Sequence, residues 1–118
     1  MDRKKELKAE YKMMKPPMGI FMIGSKGSNK CYIEATPNLK ATMNSAKFKL
    51  GAGNHPNKEL QKEWKEFGEA HFMFEILEEL QYDEDESKMD YSEDLALLQM
   101  IWEEKLAEKK MVFYKKRI

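Results

Sequence analysis

The chain has 118 residues, which is enough for one domain with one core and too few for two. Hydrophobic residues make up 42% and charged residues 36%, with six glycines and four prolines, a balance that excludes a disordered tail. The lone Cys31 excludes an intrachain disulfide, the charged start MDRKKELKAEYK lacks the apolar stretch of a signal peptide, and no apolar run approaches the ~20 residues of a membrane span, so a cytoplasmic protein away from the membrane is expected.

The 21 basic and 21 acidic residues cancel in number but are segregated along the chain. Residues 1–62 carry 13 Lys/Arg against 5 Asp/Glu, residues 63–104 carry 2 against 15, and residues 105–118 carry 6 against 1. A basic face and an acidic face are both possible outcomes of folding, as is an ordinary solvated surface.

In chain order, Leu7, Tyr11 and Met14 fall at helical spacing and predict a short amphipathic helix, stopped by Pro16 and Pro17. Met18 to Ile23 and Lys30 to Ala35 are two strand-like apolar runs around Gly24-Ser25-Lys26-Gly27-Ser28-Asn29, a β-hairpin. Thr36 before Pro37 reads as a helix cap, with Leu39, Met43, Ala46 and Leu50 as the buried stripe and Gly51 and Gly53 as the stop. Asn57 caps a second helix with Leu60, Trp64 and Phe67 inward and Gly68 as its end. Phe72, Phe74 and Ile76 alternate on one face of a third strand. Gln81 to Tyr91 is acidic and aperiodic, an exposed loop. Ser92 is the expected cap of a last helix of about 16 residues, with Leu95, Leu98 and Trp102 joined by Leu97, Ile101 and Leu106 as its apolar side. The ten methionines mostly occupy these stripes and are expected to fill the core, and Cys31, in a strand, is expected to be a buried, inert thiol. The expectation is one α+β domain over 1–118: an N-terminal helix (1–16), a core (17–107) with a small, mostly antiparallel three-stranded sheet packed with helices, and a basic tail (108–118).

Gly19-Ile20-Phe21, ten residues, then Tyr32-Ile33-Glu34 resembles the paired motifs that name the GIY-YIG nucleases. Asn38-Leu39, Gly53-x-His55, Leu60-Gln61 with Trp64, Leu77-Glu78-Glu79-Leu80, and Trp102 with Leu106 extend the resemblance over about residues 17–107, toward the homing-endonuclease-like subgroup. The resemblance implies phosphodiester hydrolysis by a tyrosine base, an arginine on the phosphate, and a glutamate holding one Mg or Mn ion. On this chain those positions are altered. Phe21 stands for the first motif's tyrosine, Glu34 for the second motif's glycine, Thr42 for the arginine, Ala46 for a histidine, and Gln99 for the metal-binding glutamate. No asparagine follows Asn57, although the family often supplies one there. Tyr32 and His55 remain.

A phenyl ring cannot relay a proton, a threonine lacks the guanidinium's charge and fork, and an amide is a poor sole ligand for a hard cation. The resemblance with these departures implies a pseudo-nuclease with no metal and no cofactor, serving as a nucleic-acid-binding or regulatory module. Candidate contacts to a weakly and non-specifically bound nucleic acid are Tyr32, His55 and the lysines Lys40, Lys47, Lys49, Lys58 and Lys62 of the two central helices. The alternatives are a protein-interaction domain whose acidic loop Asp83–Asp94 meets a basic partner, and an active metal-dependent endonuclease with rewired chemistry.

Overall fold

The computed structural model describes residues 15–85 and 87–114. The sequence-predicted helix over 1–16 lies almost wholly outside them. The described chain runs β1 (Met18–Ser25), β2 (Lys30–Thr36), α1 (Leu39–Ala52), α2 (Lys58–Phe67), a 3-10 turn (Glu69–His71), β3 (Phe72–Leu80), α3 (Ser92–Glu108) and β4 (Val112–Phe113).

The sheet has four strands in the order β3-β1-β2-β4, not three. β1 pairs antiparallel with both β2 and β3, whereas β4 runs parallel to β2, so the sheet is mixed. The added strand comes from the segment expected to be a basic tail. Lys110, with φ 64°, turns the chain back after α3. Val112 N–H then reaches the Asn29 carbonyl and Tyr114 N–H the Cys31 carbonyl, both at 2.9 Å. Tyr114 is buried, so the folded unit extends beyond residue 107. Two residues of strand are too few to leave a period in the sequence.

β1 is central and buried along all eight residues, which explains its unbroken apolar run. α1 and α2 cover one face of the sheet around Phe21, Ile23, Leu39, Leu50, Leu60 and Trp64. α3 covers the other face around Ile20, Met22, Cys31, Ile33, Leu98 and Leu106. Burial pushes the Cys31 thiol up to about 11, the state of an unreactive interior cysteine.

Gly19 is required by close approach: a Cβ there would collide with the Glu78 carbonyl of β3. Beside it the β1–β3 ladder slips between Ile20 and Phe21, leaving Leu77 as the extra residue of a bulge. The bulge brings Leu80 as well as Leu77 to the α3 side, whereas Ile76 keeps the alternation with Phe74, opposite Phe21 on the α1–α2 face, yet is 44% exposed rather than buried.

Several sequence-predicted caps move by a residue or two. Asn38, not Thr36, caps α1 by accepting from Ala41 N–H, while Thr36 stays in β2. Gly53 ends α1 in the left-handed conformation, and Gly51 lies within the last turn. Asn57 and Gly68 bound α2 as expected. Ser92 is the first residue of α3 and does not cap it; its hydroxyl donates to Asp90 at 2.7 Å. Leu97 and Ile101 of α3 are 59% and 40% exposed, and Phe67 of α2 is also exposed, because a single sheet face accommodates a narrower stripe than the sequence offers. The methionines divide: Met18 and Met22 are in the core, but Met73, Met89 and Met100 are exposed. The segment Gln81–Tyr91 is anchored by Tyr82, which donates to the Pro16 carbonyl at 2.6 Å, and by buried Tyr91, which accepts from Asp83 N–H at 3.0 Å.

Candidate functional site

At the exposed edge of β2, beyond the short stretch paired with β4, Tyr32 and Glu34 point to the face carrying α1. Side chains two apart on a strand share a face, so the second hairpin motif supplies both. Helix spacing turns Thr42, Ala46 and Lys49 of α1 toward them, and the turn between α1 and α2 adds His55. Together they line a pocket of about 180 Å³. Six of the residues marked in the sequence thus meet: Tyr32, Glu34, Thr42, Ala46, Lys49 and His55.

The Tyr32 hydroxyl donates to Glu34 Oε1 at 2.7 Å. Burial first, and then this bond and the Glu34 charge, hold the phenol well above its ordinary range, so Tyr32 keeps its proton. His55 is buried against Tyr32, ring edge to face at 5.2 Å between centroids. Its ring Nδ1 accepts from the Asn57 backbone N–H at 3.0 Å, and the His55 backbone N–H donates to Gln61 Oε1 at 2.9 Å. Gln61 Nε2 in turn donates to the Leu50 carbonyl at 2.9 Å, closing the α1–α2 turn. Burial, with Lys49 adding repulsion, lowers the His55 pKa. His55 therefore sits as a neutral ring built into the turn. The hydroxyls of Thr42 and Thr36 share a hydrogen bond of 2.6 Å, which ties α1 to the end of β2.

The remaining sequence-predicted residues lie elsewhere. Phe21 is fully buried, stacked on Phe74 at 6.4 Å. Lys47 places its ammonium 4.9 Å from the Phe74 ring, and Lys40, Lys58 and Lys62 are exposed on α1 and α2 without lining this pocket. Only Lys49 of the five lysines belongs to it. Gln99 lines a second cavity of about 250 Å³ on the α3 side, with Cys31, Ile33, Glu103, Phe113 and Tyr114. Tyr32 borders both cavities.

Glu103 is the residue that sequence reasoning missed. It stands one helical turn beyond Gln99, and that i, i+4 spacing was the available signal. Glu103 brings a carboxylate to this cavity, where Gln99 brings a neutral amide. Among the described residues no group of three or more His, Cys, Asp or Glu side chains is placed to hold a metal.

No protein-family model matches the chain, and no curated protein matches it. Two solved structures do. One is the catalytic domain of homing endonuclease I-TevI, at TM-score 0.63 and 24% identity, covering 82% of this chain and 95% of that one. The other is a point mutant of the catalytic domain of intron endonuclease I-TevI, at TM-score 0.65 and 22% identity, covering 84% and 92%. I-TevI is a GIY-YIG nuclease, and at these identities the likeness establishes architecture: the chain has a GIY-YIG-like, nuclease-domain fold.

Proposed function

We propose that this chain is a catalytically inactive GIY-YIG-like domain that retains the groove at the β2 edge as a weak, sequence-indifferent nucleic-acid contact. The observation that carries the reading is the Tyr32–Glu34 hydrogen bond. The tyrosine left in the groove keeps its proton and donates a hydrogen bond to a carboxylate, so it is engaged as a donor and is not poised as a base. Around it, Thr42 brings no charge to a phosphate, and Phe21 is inside the core without a hydroxyl. Binding would rest on Lys49 and the hydroxyls of Thr42 and Ser45 at the pocket wall, opposed by Glu34.

The rival reading of rewired nuclease chemistry draws on Glu103, a carboxylate in the cavity that Tyr32 shares with Gln99. One assay separates the two. Supercoiled plasmid is incubated with the purified chain and Mg or Mn, and binding of duplex, single-stranded and branched DNA is followed by fluorescence anisotropy over a salt series. The proposal expects no nicking, and weak binding of about 10⁻⁴ to 10⁻⁶ M that weakens steeply with salt. Metal-dependent nicking abolished by Glu103→Ala would establish the rival, and no binding at low salt would remove the nucleic-acid part.

A further inference from the structure

β3 is the outer strand of the sheet, and β1 is its sole strand neighbour among the described residues. Along its other side alternate residues of Phe72–Leu80 present backbone N–H and C=O groups at an edge that no described strand covers, the surface on which a further strand can form. The side chains flanking that edge are of two kinds. Met73 and Ile76 are 45% and 44% exposed, and Glu75, Glu78 and Glu79 are exposed carboxylates. The ladder with β1 sets Glu75 and Glu78 opposite Met22 and Ile20 on the α3 face, and Ile76 and Glu79 opposite Phe21 and Gly19 on the α1–α2 face. The bulge at Leu77 thus places negative charge on both sides of the edge. Trp102 Nε1 donates to Glu78 at 2.8 Å, while Glu75 and Glu79 have no partner among the described residues.

This charge bears on the occupant. A second copy pairing antiparallel about Leu77 would set Glu75 against Glu79, and like charges directly opposite are destabilising. A basic strand meets the opposite situation. In the acidic loop Asp83–Asp94, Asp94 already pairs with Lys88 at 2.8 Å, while Asp85 and Asp90 accept from Ser87 and Ser92 within the loop.

We propose that the outer edge of β3 docks an extended, Lys/Arg-rich segment of a partner protein by strand addition. Backbone hydrogen bonds to the edge supply affinity, Glu75, Glu78 and Glu79 select basic side chains, and Met73 and Ile76 receive apolar ones. β1 and β2 separate this edge from the groove around Tyr32, so this surface is independent of the nucleic-acid reading.

The test uses the full chain and a labelled peptide of alternating lysine and valine matched to the length of β3, read by fluorescence anisotropy. Two controls accompany it: the same peptide N-methylated at alternate amides in either phase, and a peptide with glutamate in place of lysine. Micromolar-range binding is expected for the first peptide, weakened about ten-fold or more by N-methylation in one phase, since losing several backbone hydrogen bonds costs at least that factor. The glutamate peptide should not bind, and the Glu75→Lys, Glu79→Lys double variant should reverse the preference. Hydrogen exchange provides a readout that needs no variant: amides 73–79 should gain protection with the basic peptide. N-methylated peptides binding as tightly as the parent would reduce the effect to charge attraction and overturn strand addition. Failure of every peptide to bind at low salt, or a concentration-dependent dimer that the basic peptide does not displace, would also overturn it.

Discussion

Replacing Glu34 with glutamine tests the groove with minimal change of shape. The carboxylate accepts the Tyr32 hydroxyl at 2.7 Å and shares the pocket wall with Lys49, Thr42 and His55. Two consequences follow. The phenol loses its charged acceptor and a nearby negative charge, which are the second and third reasons for its raised pKa, so Tyr32 should titrate at lower pH in Glu34→Gln while burial keeps it above the ordinary tyrosine value of about 10. The pocket also loses one negative charge close to any bound phosphate. At about 6 Å in a water-like dielectric that repulsion is about 0.7 kcal/mol, or roughly a three-fold change in affinity. Anisotropy titration of labelled duplex DNA at low salt should therefore show about three-fold tighter binding for Glu34→Gln. The gain should shrink as the Debye length, about 8 Å at 0.15 M and about 3 Å at 1 M salt, falls below the charge separation. Unchanged or weaker binding at low salt, with an NMR titration of Tyr32 confirming its altered environment, would refute the placement of phosphate in this groove.

Gly19→Ala should destabilise the fold by about 2–3 kcal/mol and lower the melting temperature by about 10 °C, because the new methyl meets the Glu78 backbone rather than a movable side chain. A near-unchanged melting curve would contradict that contact. Lys49→Glu should weaken DNA binding more than Lys47→Glu, since Lys49 lines the pocket whereas Lys47 packs over Phe74; equal effects in anisotropy would point to diffuse attraction instead. His55 has a folded pKa below its ordinary 6.5, so the unfolded chain takes up the proton first. Its contribution to stability is complete above pH 6.5 and is lost as pH falls through the folded value. Denaturant melts of wild type and His55→Gln should accordingly converge as the medium is acidified from neutrality, and parallel curves would show that the ring is not held neutral.

Much of the fold was legible in the sequence because its signals are local. Asn57 and Gly68 bound α2 through capping chemistry that any sequence carries, and the alternating run at Phe72 marked β3. What escaped was set by tertiary geometry. The bulge at Leu77 arises from pairing with β1, and Ile76, on the outer strand opposite Phe21, is exposed although it keeps the face the alternation gives it. β4 exists because Lys110 turns the chain against β2, and its two residues carry no pattern of their own. The same division holds for the site. Tyr32, Thr42, Ala46 and His55 were marked by motif and do converge in one pocket, but the hydrogen bond that engages the Tyr32 hydroxyl depends on rotamers. The lysines were grouped by sequence proximity, yet successive helical positions diverge by about 100°, and only Lys49 faces the pocket.

The central claim, that the GIY-YIG-like architecture persists here without its phosphodiester chemistry, is tested most directly by a nicking assay. It should use the full chain at high concentration with Mg or Mn on supercoiled plasmid, with the Tyr32→Phe variant alongside. The expected result is no metal-dependent conversion to open circles in either sample. Conversion that requires the metal, co-purifies with the chain and disappears in Tyr32→Phe would contradict the account, because it would make the hydroxyl now held by Glu34 a working catalytic group.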